Sequence, residues 1–231
     1  MKKSFVYFSM VLLSAWLISC GNAENNPAAD AGSCPKSKPD STEKVVMYEF
    51  KATPMALSKI PGDIHYTGDA LQAIKFTDKS GEHIALISET KHKTNGDYSS
   101  KWLFAGCYTK SKNGYTGNWT ITDGEGECLF DITAAFIPKT FEVTDLDEDN
   151  LAEIWVMYKV TCRSDVSPAG LKIIMYEDKQ KFAMRGSTVI DFGDGPYGGE
   201  YSFDKAFQRG PAEFRDYAQQ KWKENSKERY D

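Results

Sequence analysis

The sequence predicts a mainly β protein with a single antiparallel β domain, built as a sandwich or as propeller-blade-like sheets, and a C-terminal α-helix. Its 13 Phe, 12 Tyr and 5 Trp residues favour strands. Short apolar runs alternate with polar turn residues through most of the chain, whereas apolar residues near the C-terminus recur at helical spacing. The 231 residues suit one domain, and a hydrophobic fraction of 41% is enough for a core.

Three hairpins dominate the predicted strand order. A first strand is expected at 45–50, and a single helical turn at 55–60 between two prolines. The hairpin strands are 70–76 with 83–88, 101–109 with 115–122, and 171–176 with 182–189, each pair joined by polar turn residues. Further strands are predicted at 128–136 and 140–143, and the apolar run 154–161 predicts a central strand buried on both faces. The glycine-rich stretch 193–199 predicts a mobile loop.

The predicted C-terminal helix covers about 211–227. Pro211 suits the first turn of a helix. Phe214, Tyr217, Ala218 and Trp222 then fall on one helical face, which we expect to pack on the sheet.

The N-terminus is typical of an exported lipoprotein. Lys2 and Lys3 precede an apolar run over 4–18, which is shorter than the ~20 residues that span a bilayer but suits a signal peptide. The run ends in Leu-Ile-Ser-Cys-Gly and resembles a bacterial lipobox, which implies a signal peptide over 1–19 and lipid on Cys20. An ordinary signal peptide or a membrane anchor is the alternative interpretation. Because the residue after Cys20 is not Asp, we expect an outer-membrane lipoprotein.

The mature chain is predicted to begin with a spacer. Residues 20–42 comprise the lipidated cysteine and a flexible linker rich in Asn, Ala, Pro and Ser, and 43–231 form the globular domain. The membrane is therefore a predicted partner, reached through the lipid. Nucleic acid is not a predicted partner, because the formal net charge of −5 does not supply the basic face that phosphates need.

Cys34, Cys107, Cys128 and Cys162 remain for disulfides if Cys20 carries lipid. In an oxidising compartment an even number of cysteines predicts two bridges. Pairing Cys128 with Cys162, and Cys34 with Cys107, is preferred, because Cys128 and Cys162 flank a strand–loop–strand stretch. Pairing Cys107 with Cys128 is the alternative, and a catalytic thiol at Cys162 is disfavoured because no His lies near it in sequence.

An acidic loop follows the predicted strand 140–143. Counting from Asp145, carboxylates stand at positions 1, 3, 5 and 9, and a backbone carbonyl is available at position 7. Hard cations such as Ca²⁺ bind 6–8 oxygens, which alternating residues of a tight loop can supply. The predicted ligands are Asp145, Asp147, Asp149, Leu151 and Glu153. Position 12 is a valine, so this is not an EF-hand, and the loop instead resembles those of FG-GAP or VCBS-type repeats. A solvated acidic turn is the alternative.

Two other regions are candidates for binding. A polar stretch with Arg163, Ser164, Asp165 and Ser167 follows the most apolar strand and is either a rigid binding loop or a well-ordered turn. Trp102, Tyr108, Tyr115 and Trp119 form either a sugar-stacking platform or one buried face of a hairpin. The spacing of His and Cys does not fit a zinc site, and no G-x-S-x-G motif or phosphate-binding loop occurs.

Several segments resemble a bacterial lipoprotein family labelled "surface polysaccharide biosynthesis protein". The similar segments are 141–147, 152–159, 162–168, 172–177 and 181–186. The resemblance supports the Cys128–Cys162 pairing, because similar members have Cys at both places. Asp147 and Asn150 fall where relatives often have Asn and Gly. The resemblance implies a role in the envelope glycan layer and supplies no catalytic residue.

These observations favour a lipid-anchored, non-catalytic accessory or binding module for surface polysaccharide or envelope assembly. Surface glycans and envelope proteins are its expected partners, and Ca²⁺ its expected stabilising ion. The alternative is an enzyme acting on envelope polysaccharide, which requires two facing carboxylates in a cleft.

Overall fold

Two antiparallel sheets form the protein in the computed structural model, which describes residues 50–228. The predicted fold class is confirmed: the chain is mainly β with a C-terminal helix. The predicted signal peptide and linker lie outside the described residues, as do Cys20, Cys34 and most of the predicted strand 45–50.

The N-terminal sheet has the order β1-β2-β3-β5-β4, with β6 also paired to β5. Its strands are β1 (Lys51–Met55), β2 (Asp69–Asp78), β3 (Gly81–Glu89), β4 (Lys93–Asn95), β5 (Tyr98–Ser111) and β6 (Gly114–Cys128). The first two predicted hairpins are therefore present, and both extend beyond the predicted bounds. The predicted helical turn at 55–60 is a 3-10 helix over Leu57–Lys59.

The C-terminal sheet has the order β14-β11-β10-β9-β7, with β8 also paired to β9. Its strands are β7 (Asp131–Phe136), β8 (Glu142–Thr144), β9 (Glu153–Arg163), β10 (Gly170–Glu177), β11 (Gln180–Ser187) and β14 (Tyr201–Phe203). The first six residues of β9 are all buried, as predicted for a central strand. The glycine-rich stretch contributes to a small hairpin of β12 (Val189–Asp191) and β13 (Pro196–Gly198) rather than being a structureless loop.

Side chains that alternate along the strands of the C-terminal sheet pack into two different apolar cores. Ile154, Val156 and Ile174 pack against the N-terminal sheet, in a core that includes Ala85 and Leu103. Residues of opposite parity, such as Trp155 and Met175, pack against the helices instead. Because β9 is covered on both sides, both parities of its sequence are apolar, which explains its unbroken apolar run.

Two helices cover the outer face of the C-terminal sheet. They are α1 (Lys205–Arg209), which was not predicted, and α2 (Ala212–Asn225), which lies within the predicted range 211–227. Phe214, Ala218 and Trp222 of α2 are buried in the outer core, and Tyr217 packs against it. None of the helices between residues 50 and 228 is long and apolar enough to cross a bilayer.

Cys128 and Cys162 form a disulfide between the end of β6 and β9, with their Cα atoms 5.6 Å apart. This excludes the alternative Cys107–Cys128 pairing, and it also excludes a free catalytic thiol at Cys162. Cys107 on β5 has no disulfide partner between residues 50 and 228, is only 1% exposed, and burial raises the pKa of its thiol to about 12. Its predicted partner Cys34 lies outside the described residues, so that second bridge stays a prediction.

Candidate metal centre

The acidic loop connects β8 to β9 and gathers its carboxylates as the spacing predicts. Oxygens of Asp145, Asp147 and Asp149 lie within 4.8 Å of one another. Asn150 adopts a φ of 66°, in the left-handed region that Asn tolerates better than most residues. Leu151 donates its N–H to Asp149 at 2.7 Å, whereas a ligand role for its carbonyl stays a prediction.

A second group of carboxylates adjoins the first and includes a residue from a neighbouring strand. Oxygens of Asp147, Glu153 and Glu177 also lie within 4.8 Å of one another. Glu153 begins β9, Glu177 ends β10, and the two are direct cross-strand partners. Asp147 belongs to both groups, so the loop and the sheet edge form one continuous acidic cluster: Asp145, Asp147, Asp149, Glu153 and Glu177.

Sequence spacing did not identify Glu177, because it lies 24 positions after Glu153 and outside the loop. The signal that would have found it is the register of the predicted strands. Pairing β9 with β10 places two acids opposite each other, and like charges directly opposite are destabilising unless something neutralises them.

Glu153 is the most deeply buried acid of the cluster, with 0% of its surface exposed. Its carboxylate accepts hydrogen bonds from the Thr144 hydroxyl at 2.6 Å and from the Leu146 N–H at 3.0 Å. Burial, together with the charges of Asp147 and Asp145, outweighs these donors and raises its pKa to about 7. Two neutral donors thus hold the Glu153 carboxylate in place, and neither supplies a positive charge.

The other central acids are shifted in the same direction. Burial and the charges of Asp149 and Asp145 raise the pKa of Asp147. Burial and the charges of Asp147 and Asp149 raise the pKa of Glu177. A divalent cation would reverse these shifts, because an opposite charge favours the ionised carboxylates.

The turn between β2 and β3 packs against one side of the acidic loop. The Lys79 ammonium donates to a carboxylate oxygen of Asp149 at 2.8 Å and to the Asp149 carbonyl at 2.7 Å. The Lys79 N–H donates to the Asn150 carbonyl at 2.8 Å, and Asp78 accepts the Ala152 N–H at 3.2 Å. The loop therefore lies against the N-terminal sheet while its acids remain grouped beside the C-terminal sheet.

Asp78 belongs to a buried polar network with His83. Asp78 Oδ1 lies 3.1 Å from His83 Nε2 and accepts the Ser80 hydroxyl and N–H, each at 2.7 Å. His83 Nδ1 lies 3.0 Å from the Thr109 hydroxyl. Burial opposes ionisation of Asp78, but the hydrogen bonds from His83 and Ser80 outweigh it and hold its pKa at about 2. Ser80 and Asp78 both contact Nε2 of His83. In a catalytic triad the nucleophile and the acid contact different ring nitrogens, so these three residues do not form one.

The predicted polar loop after β9 is a structured turn. Arg163 ends β9 and donates from Nη2 to Glu228 at 2.9 Å. Asp165 accepts the Ser167 N–H at 2.9 Å, as expected for a capped turn. Ser164, Asp165 and Ser167 are exposed, and a binding role for them stays a prediction.

The four candidate aromatic residues do not form one exposed platform. Trp119 and Tyr108 are buried, and Trp119 stacks on Tyr176 with ring centroids 4.1 Å apart. Tyr115 is half-buried and donates its hydroxyl to Glu82 at 2.7 Å, while Trp102 is 37% exposed. The interpretation as a largely buried hairpin face fits better.

The fold and the cluster define a β domain with an acidic site that can bind a metal ion. Comparison with protein-family models, with curated proteins and with solved structures gives no match for this chain.

Proposed function

We propose that this protein is a lipid-anchored, non-catalytic module of the cell envelope, stabilised by Ca²⁺ and accessory to surface polysaccharide assembly. The observation that carries the proposal is the meeting of Asp147, Glu153 and Glu177, with the Asp145 and Asp149 carboxylates beside them. Between residues 50 and 228 no cationic side chain lies at the centre of these acids, and the Lys79 ammonium bonds to Asp149 at one side.

The donor set favours a hard cation and, among these, calcium. All five acids of the cluster offer carboxylate oxygens, which suit Ca²⁺ and Mg²⁺, whereas zinc favours His and Cys. Calcium accepts more oxygens and less regular geometry than magnesium, which demands a near-ideal octahedron. A loop of alternating acids next to a sheet edge fits the more tolerant ion better.

The same geometry disfavours the enzyme hypothesis. Carboxylate oxygens of Glu153 and Glu177 lie within 4.8 Å of each other, which is closer than the pair of a glycosidase, although the raised pKa of Glu153 suits a general acid. Glu153 is fully buried, however, and its carboxylate is engaged by Thr144 and Leu146. A sugar ring cannot reach it without opening the sheet edge.

The envelope location and the glycan role rest on the lipobox and the family resemblance.

Thermal unfolding of the purified chain in calcium, in magnesium and in chelator tests the proposal. Calcium at 1,000 times its dissociation constant should stabilise the fold by about 4 kcal/mol, with a smaller shift in magnesium. Asp147→Asn should remove most of the calcium shift, because Asp147 belongs to both groups of acids. Asp216→Asn, on the exposed face of α2, is the matched control and should keep the full shift. Equal melting in calcium and chelator would make the loop a solvated turn.

A further inference from the structure

A recess lies on the outer face of the N-terminal sheet, the face that does not pack against the C-terminal sheet. Ala85, Ala105 and Ile121 pack in the core between the sheets, so residues of the opposite parity in β3, β5 and β6 lie on the outer face. The recess has a volume of about 250 Å³, which is room for a single ring rather than for a longer ligand. Its floor consists of two rows of cross-strand partners: Leu86, Gly106 and Thr120, and beside them Ser88, Phe104 and Thr122.

Gly106 makes the sheet hollow at this point. It is the central member of its row and has no side chain, so the space between Leu86 and Thr120 stays unfilled. A Cβ atom added at Gly106 would already lie 3.4 Å from the Tyr108 ring, so a larger residue there would take up the recess. Phe104 and Tyr108 stand two residues before and after Gly106 on the same strand face, and both line the recess. The hollow is therefore a gap in a row of side chains, with an aromatic residue at each end.

The loop that precedes β2 closes one side of the recess and is attached to the sheet by two hydrogen bonds. The Tyr108 hydroxyl donates to the His65 carbonyl at 2.8 Å, and the Ser88 hydroxyl donates to the Thr67 carbonyl at 2.8 Å. Both donor side chains are buried, whereas Tyr66, between the two accepting residues, is 41% exposed and lines the recess. Buried donors on the sheet thus fix the position of this loop, and the recess is formed before any ligand arrives.

The lining of the recess is apolar at the floor and hydroxylated at one rim. Leu86 and Phe104 supply the apolar part, and the exposed side chains of Thr120 and Thr122 stand ~7 Å apart along β6. The residues between 50 and 228 that line the recess include no Asp, Glu, Lys or Arg, and among them His65 alone can carry a positive charge. A charged ligand would lose its water here without gaining a matched ion pair, so the lining favours a neutral one.

We propose that this recess binds one neutral pyranose ring. The inference rests on the proposed function for its setting at a glycan layer, and on the lining of the recess for its ligand class. A pyranose has an apolar C–H face, which can pack on Phe104 and Tyr66, and hydroxyl groups at its edge, which can exchange hydrogen bonds with Thr120 and Thr122. A planar aromatic compound or an acyl chain would fill the same space but would take water from the two threonine hydroxyls without replacing its hydrogen bonds.

Calorimetric titration of the full chain with cellotriose, maltotriose and mannotriose tests the proposal, with indole as a flat ring that has no hydroxyl group. We expect at least one trisaccharide to bind more tightly than indole, with an affinity that sodium chloride does not change. The double change Thr120→Val and Thr122→Val removes both hydroxyls but keeps the β-branched shape that suits an exposed strand, and it should weaken sugar binding about tenfold. Thr116→Val, exposed on β6 and outside the recess, is the matched control and should bind as the unchanged chain does.

The other outcomes separate this proposal from the proposed function. Sugar binding that survives the double change would overturn the recess as the site but keep a glycan-binding role. Binding of indole alone, unaffected by the double change, would overturn the pyranose in favour of a planar aromatic ligand. Failure of all four probes would overturn the recess as a sugar site, and a calcium-dependent melting shift in the same preparation would leave the metal-stabilised module standing.

Discussion

The acidic loop and the β2–β3 turn touch each other, and each contains a buried carboxylate, yet these two carboxylates have opposite ionisation properties. Asp78 is 5% exposed and has a pKa of about 2, whereas Glu153 is 0% exposed and has a pKa of about 7. The direct partners of Asp78 are His83, Ser80 and the Ala152 N–H. Glu153 has two donors but faces further acids.

The difference shows that burial alone does not determine the charge of a group. Both carboxylates lose contact with water, and this loss acts to raise the pKa of each. The donors supplied by neighbouring residues reverse the shift at Asp78 and fail to do so at Glu153. The Asp78 carboxylate therefore has donors that stabilise its charge, whereas the donors of Glu153 do not offset the charges of the acids around it.

Removing the Asp78 carboxylate should have the largest effect on the free energy of unfolding. Asp78→Ala leaves His83, Ser80 and the Ala152 N–H without their shared acceptor, and breaking a buried pair in this way typically costs about 3 to 5 kcal/mol. Urea unfolding in chelator measures the loss. Asp97→Ala, in the exposed β4–β5 turn, is the control and should change stability little. A loss for Asp78→Ala no greater than that of the control would mean that the network does not hold the turn.

The pH dependence of unfolding should distinguish the two carboxylates. The pKa of Glu153 is raised from 4.5 to about 7 on folding, so its stabilising contribution is complete below pH 4.5 and is lost as the pH rises through 7. The loss amounts to about 3 kcal/mol in chelator. The pKa of Asp78 falls from 3.8 to about 2, so its contribution is present above pH 3.8 and is lost as the pH falls through 2.

Glu153→Gln assigns the neutral-pH part of this profile. The amide cannot ionise, so the decline in stability between pH 4.5 and 7 should flatten, and the variant should equal or exceed the unchanged chain at pH 8 in chelator. Glu213→Gln, in the exposed first turn of α2, should leave the slope as it was. Persistence of the slope in Glu153→Gln would assign it to Asp147 or Glu177, whose pKa values are also raised.

The sequence predicts the strands of this region better than it predicts the charge of its residues. Local patterns located the acidic loop, the three hairpins and α2, because alternation and turn residues act over a few positions. Glu177 joins the cluster only through the pairing of β9 with β10, which is a tertiary contact. His83 could not be assigned a partner for the same reason, since its nearness to Asp78 and Thr109 depends on the register of β2, β3 and β5.

The positions of the cysteines in the sequence and the family resemblance both favour a bridge between Cys128 and Cys162, which the structure contains. Neither the β12–β13 hairpin nor α1 was predicted, because α1 has only five residues and the hairpin lies in a glycine-rich segment with little apolar periodicity.

The smallest expected effect concerns Lys79, which connects the two compared regions. Its ammonium group occupies one carboxylate oxygen of Asp149 and repels a divalent ion at the acidic loop. Lys79→Met should therefore strengthen calcium binding, by about two- to threefold because the side chain is exposed and screened by solvent. Calcium titration by calorimetry at low and high salt measures the change, and Lys112→Met in the β5–β6 turn is the control. Weaker binding in Lys79→Met would instead show that Lys79 holds Asp149 in position for the ion, and the two regions would then form one site.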